Sequence, residues 1–218
     1  MEFPQAILSR LRTSGVVAGF SVERVADAVP IARALLDGGI DAIELTLRTD
    51  AGIESVRAIC AEFPEMLVGV GTILTPETAK QVHAAGAAFG VAPGTNPRVV
   101  RAAQQAGLPF APGIATPTDL ELAIELGCRF VKFFPAEPCG GIEYLRSMSA
   151  PYKHLNIEYF PLGGINADNM LLYLQEPNVL AIGGSWIVNK QLVESQAWTG
   201  ISARAADVIK RVKESVKR

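Results

Sequence analysis

This sequence predicts a parallel (β/α)8 TIM barrel with an additional N-terminal helix, built as a single domain over residues 1–218. Three observations predict it. Eight short β-rich runs alternate with helix-patterned segments, the order that parallel βαβ units produce. The repeat is about 27 residues long, near the compact end for such barrels. Glycine pairs, Gly163-Gly164 and Gly183-Gly184, close the seventh and eighth runs. A doubly wound open sheet would instead carry a glycine-rich loop after its first strand. The segment there, Gly19-Phe20-Ser21-Val22, contains no G-x-G-x-x-G.

Residues 3–12 read as a short amphipathic helix placed to cover the N-terminal mouth of the barrel. The strand runs are 16–20, 42–47, 67–73, 89–92, 110–114, 129–134, 157–161 and 179–182. Between the first two, residues 24–36 repeat apolar side chains at three- and four-residue spacing and stop at Gly38-Gly39. Thr75-Pro76-Glu77 opens the helix after the third run, with a capping threonine and proline at the first helical position; Thr116-Pro117-Thr118 repeats the signal after the fifth. Asn166 caps a further helix ahead of Met170.

Composition narrows the function. Hydrophobic residues make up 49% and charged residues 19%, which argues against disorder. A chain of this length can bury roughly 70% of its unfolded surface. The net charge of -2 comes from 20 basic and 22 acidic side chains, with no basic run or aromatic–basic stripe, so nucleic acid is not an expected partner. An anionic substrate needs a local site. Cys60, Cys128 and Cys139 are too widely spaced for a disulfide framework or a C-x-x-C site. Two histidines, His83 and His154, exclude a histidine-rich metal centre and leave little for Ser-His catalysis. No basic n-region and apolar h-region open the chain, and no apolar stretch approaches the length of a membrane span. These features predict a cytoplasmic protein without membrane contact.

In such a barrel the chemistry gathers at the C-terminal ends of the strands. In the second run, alternation puts Glu44, Thr46 and Arg48 on one face and Ile43, Leu45 and Leu47 on the other. The apolar face suits helix packing, so the charged face points inward. A carboxylate and a guanidinium there are costly unless paired or functional. A purely structural Glu–Arg pair is the plain alternative. Lys132 sits within Arg129-Phe-Val-Lys-Phe-Phe-Pro135. Alone, such a lysine could simply snorkel to water. Buried among phenylalanines, an amine favours its neutral form, and a neutral amine is what imine formation with a ketone requires. Thr72 after Gly71, Pro93 and the glycines Gly163, Gly164 and Gly184 with Ser185 complete the candidate mouth. The loops after strands seven and eight are a recurrent phosphate site of these barrels. Together these residues describe a Schiff-base aldolase. Lys132 attacks a 2-oxo acid, Glu44 moves the protons, and Arg48 with Thr72 holds the carboxylate.

With these motifs in place, the sequence resembles the 2-keto-3-deoxy-6-phosphogluconate (KDPG) and 4-hydroxy-2-oxoglutarate (KHG) aldolase family. The resemblance rests on Glu44-Leu-Thr-Leu-Arg48-Thr49, Gly71-Thr72, Pro93-Gly94, Pro112-Gly113-Ile114, Lys132-Phe-Phe-Pro-Ala-Glu137, Gly163-Gly164-Ile165 and Gly183-Gly184-Ser185-Trp186, in family order. It implies a class I, cofactor-free and metal-independent aldolase, usually a homotrimer, acting on a 2-oxo acid or sugar-acid phosphate. It implies Lys132 as the Schiff-base lysine and Glu44 as the proton-transfer residue. Arg48 and Thr72 match the pyruvate end, and Gly163, Gly164, Gly184 and Ser185 the phosphate end. Two positions depart from the pattern. Leu162 replaces a threonine common just before the strand-seven glycine pair, near the aldehyde half. The first strand, Val16-Val17-Ala18-Gly19-Phe20, lacks the usual proline. The substrate could therefore be KDPG, KHG or the phosphogalactonate epimer. A phosphosugar isomerase, epimerase or decarboxylase, or a non-catalytic barrel that binds a sugar phosphate, are the remaining alternatives.

Overall fold

The computed structural model describes residues 3–216; residues 1, 2, 217 and 218 of the expected 1–218 domain lie outside it. Within it, the helix-opening signals become hydrogen bonds. The Thr75 hydroxyl accepts from Thr78 N at 3.1 Å, and Thr116 forms a reciprocal capping box with Asp119. Asn166 accepts from the backbone N–H of Asp168 at 2.8 Å and of Asn169 at 3.3 Å, turning the chain into its helix.

The chain runs α1 (Gln5–Ser14), β1 (Val16–Phe20), α2 (Val25–Asp37), β2 (Ala42–Thr46), α3 (Gly52–Glu62), β3 (Leu67–Gly71), α4 (Pro76–Ala84), β4 (Phe89–Val91) and α5 (Pro97–Ala106). It continues with β5 (Phe110–Ala111), β6 (Gly113–Ile114), α6 (Pro117–Glu125), β7 (Phe130–Phe133), α7 (Gly141–Ser149) and a 3-10 helix, Ala150–Leu155. It closes with β8 (Glu158–Pro161), α8 (Met170–Leu174), β9 (Ile182–Gly184), α9 (Lys190–Glu194) and α10 (Trp198–Val216). All strand pairings are parallel. They form a six-stranded sheet, β5-β4-β3-β2-β1-β9, and a three-stranded sheet, β6-β7-β8. A single parallel bridge, Tyr159 to Val179, links the second sheet towards β9.

Apart from single residues at strand ends, three strands differ from the sequence expectation, each for a local reason. The run 110–114 is two short strands divided at Pro112, which has no N–H to give a ladder. Its carbonyl still accepts from Lys132 N at 2.9 Å. The run 67–73 stops at Gly71, because Thr72 takes a left-handed φ of 62°. The eighth strand is not 179–182 but Ile182–Gly184, where Gly183 and Gly184 pair with Val17 and Ala18. That glycine pair is extended chain inside a ladder, whereas Gly163 and Gly164 form a true turn with φ of 95° and 85°.

Two apolar layers hold the elements. The larger lies between the sheets and the helices and takes the outward face of β2, Ile43 and Leu45. The second lines the inner face, where Val17, Ala42, Leu67, Phe89, Phe130 and Phe160 form a floor. The expected cover is α1: Leu11 is buried in that floor, and Phe3, Ile7 and Leu8 pack against it. The Phe3 ring meets Phe130 edge-on at 4.9 Å, and Phe130 stacks on Phe160 at 6.1 Å. Among the described residues, no helix is long and apolar enough to cross a membrane.

Because Phe130 is buried in the floor between the rings of Phe3 and Phe160, Phe130→Ala is expected to cost about 3–5 kcal/mol. Scanning calorimetry should read this as a Tm lower by roughly 6–20 °C. An unchanged Tm would mean that the floor does not support the fold.

Candidate active site

Strand alternation carries the chain from floor to site. Ala42 and Phe130 belong to the floor, and two residues further along the same faces stand Glu44 and Lys132. Their strands lie in different sheets, so the two side chains meet across the interior. Lys132 Nζ donates to Glu44 Oε1 at 3.0 Å, with Lys132 5% and Glu44 2% exposed. The Phe134 ring, on the same face of the chain as Lys132, lies 5.2 Å from the ammonium. Lys132 is the only side-chain partner of the Glu44 carboxylate among the described residues, and no buried side-chain N or O there lacks a partner. Glu44 Oε2 therefore opens on the space above.

Glycines make the room for this pair. Gly69 and Gly71 share the inward face of β3. A Cβ at Gly69 would lie 2.2 Å from the Phe89 ring, and one at Gly71 would lie 1.7 Å from Glu44 Oε1. Further round, a Cβ at Gly183 would strike Leu162 at 2.4 Å, and one at Gly184 would strike Trp186 at 1.6 Å. Trp186 thus packs as part of the wall beside the outer core.

Above the pair opens a cavity of about 900 Å³. Of the ten residues that the sequence singled out, Lys132, Glu44, Arg48, Thr72, Pro93, Leu162, Gly163, Gly184 and Ser185 line it. Gly164 stands outside. A Cβ there would lie 2.5 Å from Glu137 Cβ, so Gly164 lets the turn close against the segment after β7. Glu137 also accepts from the Tyr173 hydroxyl, whose pKa is raised by burial first and by that bond second. Thr72 reaches the cavity from its left-handed backbone, a conformation that a β-branched residue adopts only under constraint.

Sequence reasoning missed the loops after β1 and β9. Arg24, Asp27, Asn189, Lys190 and Glu194 also line the cavity. The ladder between β1 and β9 makes those loops neighbours. Buried Asp27 accepts from Arg24 Nε at 3.0 Å and Nη2 at 2.7 Å, which raises the Arg24 pKa further. An Arg and an Asp three apart at a helix start was the available signal, though it reads equally as a helix-end ion pair. The lining holds four cations (Arg24, Arg48, Lys132, Lys190) and four carboxylates (Glu23, Asp27, Glu44, Glu194), so its charge is balanced and pairing decides where an anion can sit. Arg24, Lys132 and Lys190 each face a carboxylate, the last at 3.6 Å on the exposed surface. Arg48 makes no ion pair among the described residues, which leaves its planar fork for a carboxylate ligand.

The arrangement can hold an amine beside a carboxylate above a dry floor, with a receptor for an anion at the rim. Among the described residues, no group of three or more His, Cys, Asp or Glu is gathered to hold a metal ion.

Comparison with known proteins agrees with this chemistry. Residues 7–204 match the family described as KDPG and KHG aldolase. A Treponema pallidum protein named 2-dehydro-3-deoxy-phosphogluconate aldolase is 43% identical over 205 residues, spanning 94% of this chain and 95% of its own. The structure of Legionella pneumophila KDPG aldolase, with pyruvate captured at low pH as a covalent carbinolamine intermediate, shares 35% identity and a TM-score of 0.87. That likeness covers 92% of this chain and 97% of the other. The Zymomonas mobilis enzyme, solved with 3-phosphoglycerate, gives 35% identity and a TM-score of 0.83, covering 92% and 93%.

Removing one partner of a buried ion pair leaves the other charge stranded. Lys132→Met is therefore expected to lose about 3–5 kcal/mol in urea unfolding. Adding Glu44→Leu should restore roughly half of that loss. Additive losses would mean that the two groups are not coupled.

Proposed function

The chain belongs to the KDPG and KHG aldolase family, and on that premise we propose that it is a class I aldolase working through an imine on Lys132. Its reaction is the reversible cleavage of 2-dehydro-3-deoxy-6-phosphogluconate to pyruvate and glyceraldehyde 3-phosphate. The observation that carries the reading is the 3.0 Å contact between Lys132 Nζ and Glu44 Oε1 beneath an open cavity.

The geometry supports each step. Glu44 takes a proton from the Lys132 ammonium, and the free amine attacks the C2 carbonyl of the substrate. Glu44 gives that proton to the carbinolamine hydroxyl, which departs as water, leaving an iminium on Lys132 and Glu44 again a carboxylate. Arg48 and Thr72 hold the C1 carboxylate at the cavity wall. The C4 hydroxyl gives its proton to the Glu44 carboxylate through the open Oε2. The C3–C4 bond then breaks, its electrons pass into the iminium as an enamine, and the aldehyde leaves. Glu44 returns the proton to C3, and water hydrolyses the pyruvyl imine to free Lys132. The turn at Gly163, with Gly184 and Ser185, offers backbone N–H groups and a hydroxyl to the distal phosphate. Gly164 belongs to the same turn and sets its shape from outside the cavity.

A second reading rests on Leu162. This side chain gives the aldehyde half an apolar wall, packed on Gly183, where relatives commonly present a hydroxyl. It favours a different aldehyde: glyoxylate, from KHG, or the product of the phosphogalactonate epimer. A non-catalytic sugar-phosphate barrel gives no reason to bury an amine against a carboxylate beside the ligand space.

The reading extends to architecture and assembly. We take the two sheets as one (β/α)8 barrel, supported by the Pro112 carbonyl bonded to Lys132 N and by the Tyr159–Val179 bridge. The resemblance found in the sequence extends it to a homotrimer, which light scattering on the purified protein tests.

Incubation with pyruvate and borohydride should add one reduced pyruvate to Lys132, read by intact mass and peptide mapping; an unmodified Lys132 would sink the aldolase reading. Glu44→Gln should still trap pyruvate but lose about 10²–10⁴-fold in kcat. For the aldehyde, kcat/KM should be compared among KDPG, its galactonate epimer and KHG, in the parent and in Leu162→Thr. The threonine variant is expected to move the preference towards KDPG by about 10-fold. An unmoved ratio would take Leu162 out of substrate choice.

A further inference from the structure

Gly71 stands in a different relation to the site from any other glycine of the inner face. Its neighbour two residues back, Gly69, makes room for a ring fixed in the core: a Cβ there would meet three Phe89 ring carbons between 2.2 and 2.6 Å. The three atoms nearest a Cβ at Gly71 would all belong to Glu44, Oε1 at 1.7 Å, Cδ at 2.7 Å and Cγ at 3.1 Å. The group displaced would be the end of a flexible side chain, and that end is the carboxylate bonded to Lys132. On the other flank, Gly19 pairs in register with Glu44, and a Cβ there would stand 3.9 Å from Oε2, an ordinary contact. The carboxylate is thus seated in a slot whose β3 wall is set by the absence of one methyl group.

From this we propose that Gly71 is a positioning residue for proton transfer: it fixes Glu44 Oε1 against Lys132 and so turns Oε2 to the substrate. The proposal rests on the aldolase reading and deepens it. A methyl group at residue 71 leaves the fold intact, because the far end of Glu44 can swing away. It removes the alignment between carboxylate, amine and substrate. Displacement of a reacting group by about 1 Å is enough to cost on the order of 10²-fold in rate. The loss falls on kcat, since the pyruvate carboxylate is held by Arg48 and Thr72, which stand beyond the ends of β2 and β3.

A double-mutant cycle tests this, using Gly71→Ala, Glu44→Asp and their combination, with Gly69→Ala as the structural comparison. Aspartate withdraws the carboxylate by one methylene, about 1.5 Å. Gly71→Ala in the parent is expected to lose about 10²-fold in kcat with KM nearly unchanged, while pyruvate is still trapped on Lys132. The same change added to Glu44→Asp should cost less than about threefold. Gly69→Ala should lower Tm and leave kcat per folded enzyme within about twofold, because its clash lies in the floor. Equal losses from Gly71→Ala in both backgrounds would overturn the proposal, as would full activity in the single variant. If Gly71→Ala does not fold, recovery of folding by the added Glu44→Asp supports the slot, and failure to recover overturns it. A crystal structure of Gly71→Ala adds a readout independent of turnover: the carboxylate should be displaced from Lys132, and an unmoved one rejects the idea. The catalytic premise fails by a separate route, namely full turnover in Glu44→Gln.

Discussion

One contact organises this molecule: an ammonium and a carboxylate from two different sheets, bonded at 3.0 Å with almost no exposed surface. Such a pair survives burial only if its geometry is good and its remaining donors and acceptors have somewhere to turn. Both conditions are met from opposite sides. Below lies a floor of rings and aliphatic chains that keeps water from competing for the bond. Above lies a cavity that receives Oε2 and the remaining amine hydrogens. A site dry on both sides would strand those groups, and one wet on both sides would dissolve the pair. The floor helix, the strand registers and the glycines of the inner face all follow from holding that boundary in place.

The strands are built by setting large groups against missing ones, on the inner face three times and on the outer face once. Phe89 lies over Gly69, the Glu44 carboxylate over Gly71, Leu162 over Gly183 and Trp186 over Gly184. Each combination spends a glycine in extended chain, where its conformational freedom is a disadvantage and only its lack of a side chain is useful. This is interior packing of the jigsaw kind, with one difference. Two of the four large groups, Glu44 and Leu162, face the reaction space, so the fit that fills the interior also shapes the site.

Much of this was legible in the sequence because its causes are local. Thr75 and Thr116 announce helix starts by their own side chains, and alternation alone sends Glu44, Thr46 and Arg48 to one face. Lys132 among phenylalanines is visible as a charge whose neighbours have no use for one. What stayed hidden depends on stagger between strands, which alternation does not encode. Residues 183 and 184 read as a turn like 163 and 164 until the β1 ladder places them inside a strand. In the sequence Gly71 marks only a place of close approach, because the atom it makes room for belongs to a residue 27 positions earlier. The cations Arg24 and Lys190 were missed for a similar reason: their loops become neighbours only when the last strand pairs with the first.

The helix that seals the floor also governs traffic. With Phe3, Ile7, Leu8 and Leu11 filling the lower end, the reaction space opens at the opposite end. In the proposed reaction, pyruvate stays tethered to Lys132 at the back of that room, and the aldehyde forms between it and the door. The products therefore depart in a fixed sequence, aldehyde first and pyruvate second. In the reverse direction the pyruvyl enzyme must be made before the aldehyde can be used. The tether on Lys132 thus imposes the order in which the molecules come and go, and the seal fixes the end by which they do so.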